Sequence, residues 1–341
     1  MAVSPKPRPG ATQADIARHL GIGQKTVSRV FLQPDLVRED LRARVLATAR
    51  RLGYRPNAGA RAMRSGRFRT VILVRSTNRV ASPLPEDLLT GIEESLGRAG
   101  LSLLLERMPD EDLVDEDRLP RLAREVLADG LLLNYDTNIP ATLVDLITRQ
   151  GLPAVWINSR QKRSCVRPDD AGGARDLCRT LIGLGHRRIL YADFHLRRAT
   201  WLHYSREDRR DGYRQAMAEA GLETDEILPQ QVDLGIDLAR RILDQRKPTA
   251  VIGYGDQEAA AFLTAALATG RSLPDDLSLA TFGARTLVLG RPVATWLVPQ
   301  LAMGRQAADE LLARIAGRRR RAAVVLPFSS DHGTTLGPAR S

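Results

Sequence analysis

At 341 residues, 43% of them hydrophobic, the chain is long enough for two or three domains with cores of their own and reads as soluble and globular. The 51 lysines and arginines outnumber the 40 acidic residues, a formal net charge of +11, and no apolar stretch approaches the length of a membrane span. Two cysteines, Cys165 and Cys178, are too few and too far apart for a disulfide framework or a zinc cluster, so they read as reduced thiols, and no metal or other cofactor is expected.

Divided along the chain, the charge is more informative. Residues 1–69 hold 15 basic and 4 acidic side chains, which leaves 36 of each sign, out of the 51 and 40, for everything that follows. The whole excess therefore sits in the first fifth. A basic segment beside a neutral body is the electrostatic footprint of a nucleic-acid module, whose affinity comes from neutralised phosphates and falls with salt. The opening MAVSPKPRPGATQ has no apolar core after its basic residues and does not read as a secretory signal, so a cytoplasmic protein is expected.

In chain order, Thr12-Gln13-Ala14-Asp15 starts a first helix with a capping-box pattern, Ile16, Ala17 and Leu20 keep helical spacing, and Gly21 ends it. A second helix begins near Gly23 with Val27, Val30 and Phe31 on one face and Gln24, Lys25, Ser28 and Arg29 on the other. The intervening GIGQKT superficially suggests a phosphate-binding loop. That motif needs glycine where Gln24 and His19 stand and a buried strand where DIARHL reads as helix, so the spacing rejects it. Two short helices about a glycine turn form a helix-turn-helix. A third, Glu39 to Leu52, directs Leu41, Val45, Leu46 and Ala49 inward and stops at Gly53.

After the basic AGARAMRSGRFR, too poor in apolar residues to fold alone, strands and helices alternate. TVILV, LSLLLE, GLLLNY and PAVWIN read as buried parallel strands of one lobe; RRILYAD, EILPQQVD, TAVIGYG and LSLATFG read as those of a second. VATWLV, the helix AMGRQAADELLARIAG and the strand AAVVLP read as a return that completes the first lobe. The run Arg318 to Arg321 reads as a solvated loop, nucleic-acid contact being the other reading.

Taken together, KTVSRVF, RARVLATARRLGYRPN, the basic segment, LGHRRI and RRDGYRQAMAEAG, in this order, resemble the LacI/GalR family of bacterial transcription regulators from Thr12 to about Leu336. The resemblance implies an α/β protein with an N-terminal three-helix helix-turn-helix head plus hinge, then two doubly wound parallel-sheet lobes of periplasmic-binding-protein type. It implies a DNA-binding head over 1–57, a hinge over 58–69, an N-lobe over 70–166 and 297–328, and a C-lobe over 167–296 and 329–341. By motif position Gln24, Lys25 and Arg29 would read bases, glutamine pairing with adenine and the cations with guanine. Thr12, Thr26, Ser28, Tyr54 and Asn57 would contact phosphates. In the hinge, Ala60 and Met63 would enter the minor groove, Met63 as an apolar wedge. Gly59 replaces a larger apolar residue there, making a hinge helix costlier by about 1 kcal/mol.

The same resemblance places a small-molecule effector between the lobes, against Ser82, Asn158, Arg209, Asp256 and Phe282, with an interlobe ion pair as the other reading of Arg209 and Asp256. A sugar or sugar derivative is the family default. The chain departs from it, however: Thr281-Phe282-Gly283-Ala284 lacks the usual carboxylates, and Leu297-Val298 replaces a polar pair, so a more apolar or an anionic metabolite stands close behind. Trp201 and Trp296 could offer aromatic faces, although core packing is the commoner fate.

The reading is thus a homodimeric repressor on double-stranded, pseudo-palindromic operator DNA, switched by its effector, in the cytoplasm and nucleoid-associated when bound, without membrane contact. A tail without leucine heptads suggests no tetramer. The competing class is a two-lobed solute-binding protein, against which the basic head argues. An enzyme is disfavoured because neither His186 nor the Asp169-Asp170 pair has nucleophile, base or metal spacing about it.

Overall fold

A computed structural model describes residues 10–55, 66–76, 83–108, 128–135, 141–149, 151–194, 203–228, 235–319 and 321–340. The chain divides into two units, Met1–Phe68 and Arg69–Ser341.

The first unit holds α1 (Gln13–Leu20), α2 (Gln24–Leu32), a short 3-10 turn and α3 (Glu39–Arg51). Thr12 caps α1: its hydroxyl accepts from the Asp15 N–H, and the Asp15 carboxylate accepts from the Thr12 N–H at 2.9 Å. Gly21 ends the helix with φ +64, a left-handed conformation that a side chain would strain, and Gly23 starts α2 without a side-chain cap. Ile16, Val27, Val30, Val45 and Ala49 are buried together, and Phe31, Leu41 and Tyr54 pack around them. Burying each large aliphatic side chain stabilises by about 1.5–3 kcal/mol, which is how short helices of modest propensity hold together. Leu46 departs from the inward set: it is 37% exposed, because Val45 and Ala49 already occupy the narrow core stripe of α3.

In the second unit the first sheet has strand order β12-β5-β4-β3-β1-β2. Its strands are β1 (Thr70–Ser76), β2 (Ser102–Met108), β3 (Gly130–Asn134), β4 (Ala154–Ile157), β5 (Cys165–Pro168) and β12 (Val324–Leu326), all parallel. The helices α4 (Glu86–Arg98) and α10 (Gln300–Ile315) cover one face with Leu88, Ile92, Met303 and Leu311; α5 (Ala141–Arg149) covers the other with Leu143 and Ile147. Strands buried on both faces read as continuous apolar runs, as LLL and AVWI do here.

The second sheet has order β10-β11-β9-β8-β6-β7, with β13 (Ser329–Asp331) also on β11. β6 (Ile189–Ala192), β7 (Asp225–Ile227), β8 (Ala250–Gly253), β9 (Ser278–Gly283) and β11 (Arg291–Leu297) are parallel; β10 (Thr286–Val288) and β13 run against β11. Helices α6 (Asp170–Gly183), α7 (Ser205–Glu219), α8 (Ile236–Arg246) and α9 (Asp256–Ala268) sandwich this sheet. VATWLV is therefore a correction: as β11 it pairs with β9 and belongs to the second lobe, and only α10 and β12 return to the first. Of EILPQQVD, only Glu226 and Ile227 are in the strand, which begins one residue earlier at Asp225, and 229–233 lie outside the described residues. The chain crosses between lobes after Pro168, after Leu297 and after Leu326, the path that sheet membership dictates.

Two further expectations resolve as packing. His186 is 1% exposed, with Nδ1 3.0 Å from Thr249 Oγ1 and Nε2 3.1 Å from Ser278 Oγ, tying α6's exit to the sheet. Trp296 is also buried, donating from Nε1 to Asp176 at 2.8 Å, so it is core and offers no open face; Trp201 lies outside the described residues. Both cysteines are buried and free, and desolvation pushes the Cys178 thiol up to about 12, which keeps it protonated and inert.

Candidate functional site

On α2 the apolar side chains Val27 and Val30 face the head's core while Gln24, Lys25 and Arg29 are exposed on the opposite side, with Thr26 and Ser28 half-buried at the flanks. The i, i+4 spacing of Lys25 and Arg29 puts both cations on one stripe of the helix. Neither makes an ion pair among the described residues. Thr12 spends its hydroxyl on the Asp15 carboxylate at 2.8 Å, so any phosphate contact from it comes with the cap in place. Tyr54 leans on Phe31, ring centroids 5.2 Å apart, which fixes the exit of α3 against α2. Asn57, Ala60 and Met63 lie outside the described residues.

In the second unit the expected effector residues cluster where strands end. Asn158 follows β4 in a left-handed conformation, φ 54, and its Oδ1 accepts from the Tyr204 hydroxyl at 3.0 Å. Arg209, on α7, donates from Nε to Asp170 Oδ1 at 2.7 Å and from Nη1 to the Tyr254 carbonyl at 3.1 Å. Its guanidinium carbon lies 4.9 Å from the ring centres of both Tyr254 and Phe282 and 5.8 Å from that of Phe328. The close approach has a backbone cause: a Cβ on Gly212 would stand 2.2 Å from the Ala171 carbonyl oxygen, so only glycine lets α7 bring Arg209 this near the start of α6.

Burial disfavours the Arg209 charge, but the adjacent Asp170 carboxylate more than restores it and holds its pKa above the usual arginine value. Burial raises the Asp170 pKa against the opposing pull of Arg209. Asp170 Oδ2 is buried and has no hydrogen-bond partner among the described residues.

Around this pair, Asp193 binds Arg206, the Ser205 and Tyr254 hydroxyls lie 2.8 Å apart, and Glu258, fully buried, accepts from the Phe194 and Gly255 N–H groups at 2.7 and 3.0 Å. Glu258 thereby locks the ends of β6 and β8 beside Asp256. Asp256 itself is exposed and accepts from the Thr286 hydroxyl at 2.8 Å, so it makes no pair with Arg209. Phe282 is 2% exposed and acts as a wall behind Arg209. Ser82 lies outside the described residues. Between the lobes, Arg160 binds Asp208 at 2.5 Å and Arg167 binds the same carboxylate at 3.7 Å. Sequence reasoning missed Tyr204, Tyr254 and the role of Asp170, whose partner is 39 residues away; the signal for Tyr254 was an aromatic set between two glycines at a strand end.

A basic helix-turn-helix joined to a two-lobed α/β body defines a DNA-binding transcriptional regulator with an effector-binding domain. Residues 12–57 match the family described as bacterial regulatory proteins, lacI family, and residues 178–330 match the periplasmic binding protein-like domain. The chain is 30% identical to the HTH-type transcriptional regulator GntR of Escherichia coli K12, over 96% of this chain and 97% of that protein. It is also 30% identical to CelR of Thermobifida fusca, over 89% and 91% of the two chains. Among solved structures, the lac repressor dimer bound to operator and the anti-inducer ONPF superposes with a TM-score of 0.76 at 20% identity, covering 96% of this chain and 99% of that one. The CelR–cellobiose complex gives 0.60 at 25% identity, covering 96% and 100%. The chain belongs to the lacI family of bacterial regulatory proteins. Among the described residues no helix is long and apolar enough to cross a membrane.

Proposed function

We propose that this protein is a repressor that binds a pseudo-palindromic operator as a homodimer and is switched by a small molecule held between its lobes. The observation that carries this reading is the exposed stripe of Gln24, Lys25 and Arg29, unpaired among the described residues, on a helix whose other face is core. In this reading Gln24, Lys25 and Arg29 read base edges, Thr12, Thr26, Ser28, Tyr54 and Asn57 fix register on phosphates, and Ala60 and Met63 enter the minor groove. Residues 1–57 are the head and 58–69 the hinge; the lobe bounds read from sequence, 70–166 with 297–328 and 167–296 with 329–341, shift by a few residues to the crossings after Pro168, Leu297 and Leu326.

Dimerisation is supported by apolar side chains left exposed at sheet edges: Leu104 and Leu105 on β2 at 48% and 47%, Leu287 and Leu289 beside β10 at 70% and 69%. Two heads are also what a two-half-site operator requires, and the lac repressor structure is of a dimer on operator. The effector site is Arg209 with Asp170, flanked by Asn158, Phe282 and the Asp256 strand end; Ser82 is assigned to it by its place in the sequence motif alone. The unpartnered Asp170 oxygen suits a hydroxylated ligand such as a sugar or sugar derivative, the kind of ligand seen in the CelR–cellobiose complex. The protein acts in the cytoplasm, on the nucleoid when DNA-bound, and catalyses no reaction.

The test is a fluorescence titration of the purified protein against the DNA upstream of its own gene at moderate salt. A clear preference over random DNA supports the reading, and no preference sinks it.

A further inference from the structure

We propose that a groove on the first lobe, distinct from the Arg209 site, binds a small organic phosphate. The groove exists because β5 is offset along β4: the two four-residue strands pair only from Trp156 onward, Trp156 with Cys165 and Ile157 with Val166. The Ala154 carbonyl, left without a strand partner on that side, is taken by the Arg314 guanidinium from the end of α10. Beside it opens a cavity of about 440 Å³. Ala154 and Trp156 from β4 and Ile147 from α5 give it an apolar floor, while the turn over residues 161–164 forms the opposite wall.

That wall is cationic. Lys162 and Arg163 are exposed, and neither makes an ion pair among the described residues. No aspartate or glutamate is among the described residues lining the cavity. A bridge between Arg163 and Ala322, with the Ala323 N–H donating to the Lys162 carbonyl and the Ser164 N–H to the Arg321 carbonyl, both at 3.0 Å, brings Arg321 alongside the same turn, so basic residues far apart in sequence meet in one ridge. Charges of one sign over a low-dielectric floor focus an attractive field for anions.

Ser164 supplies the second, independent observation. It lines the groove at 3% exposure, in a left-handed conformation with φ 48, and its buried hydroxyl has no hydrogen-bond partner among the described residues. Its backbone is satisfied, N–H to the Arg321 carbonyl at 3.0 Å and C=O from the Trp156 N–H at 2.8 Å. Unfavourable backbone and an unmade hydroxyl bond in one residue are the marks of a site kept for a ligand. A phosphate oxygen satisfies the hydroxyl while the other oxygens meet Lys162 and Arg163, and the carbon skeleton lies on the Ile147–Trp156 floor. Arg160 gives the groove a route to the rest of the molecule: it lines the same cavity and also holds Asp208 of the second lobe at 2.5 Å, so a bound anion competes with Asp208 for one guanidinium.

The test is calorimetric titration of the full-length protein at low salt with phenyl phosphate, with neutral phenol as the comparison ligand. We expect saturable binding of phenyl phosphate and none of phenol, and a loss of affinity of about tenfold or more in the K162A/R163A double variant, one charged hydrogen bond being worth at least that factor. Both side chains are exposed, so the variant should melt as the parent does; Ser164→Ala, should it fold, should weaken binding without any change of charge. Equal affinity in parent and double variant, or equal uptake of phenol, overturns the proposal. So does a double variant that loses operator affinity while the parent takes up no phenyl phosphate, which would assign the ridge to the DNA backbone.

Discussion

Arg209 and Asp170 form a salt bridge at 2.7 Å with side chains 10% and 1% exposed, deep where α6 and α7 meet. A pair so buried contributes little net stability while intact, since desolvation offsets attraction, but breaking it strands a charge. Asp170→Asn should therefore lower the unfolding free energy by about 3–5 kcal/mol in urea denaturation. Arg209→Met combined with Asp170→Asn should recover much of that loss. A single variant as stable as the parent would show that the pair is not formed.

Gly212 is the hinge of that geometry. Gly212→Ala places a methyl group into the Ala171 carbonyl and should push α7 off α6, at a cost of about 1–3 kcal/mol read as a lowered Tm. Gly97→Ala in α4 is the control: nothing stands within 4 Å of its new Cβ, so helix propensity should make it neutral or stabilising by up to about 1 kcal/mol. Equal effects at the two positions would refute the close-approach argument.

His203 makes stability depend on pH. Burial first, then the positive charge of Arg209, pushes its pKa down to about 3 from the usual 6.5. The Ser205 N–H already donates to Nδ1 at 3.2 Å, so a proton there would set donor against donor. With the folded pKa below the unfolded one, the contribution is complete above pH 6.5 and is lost as pH falls toward 3. The loss approaches about 1.4 kcal/mol per pH unit once the unfolded histidine is charged. His203→Gln should flatten the stability profile between pH 6.5 and 5; an unchanged slope would place the acid sensitivity elsewhere.

The head was legible from sequence because its rules are local. The Thr12–Asp15 cap, the Gly21 stop and the three-to-four-residue apolar spacing each lie within one or two turns of helix. The lobes were legible as a class, but sheet membership was not: the apolar run of β11 states that it is buried, not which sheet buries it. β5 was invisible because four residues containing an arginine and a proline carry no strand pattern of their own. At the candidate effector site, Arg209 and Phe282 were found and do meet, whereas Asp256 turned outward to Thr286. The basic ridge could not be foreseen, since a single bridge at Arg163 joins segments about half the chain apart.

The central claim, that the exposed face of α2 selects operator sequence, is tested most directly with Gln24→Ala, because it removes a base contact without changing charge. The measurement is the ratio of affinities for operator and for scrambled DNA of equal length, by fluorescence anisotropy at one salt concentration. We predict that the parent prefers operator strongly, and that Gln24→Ala reduces this ratio by about 1–3 kcal/mol while leaving affinity for scrambled DNA unchanged. A parent that binds both DNAs equally, or a variant with an undiminished ratio, would contradict it.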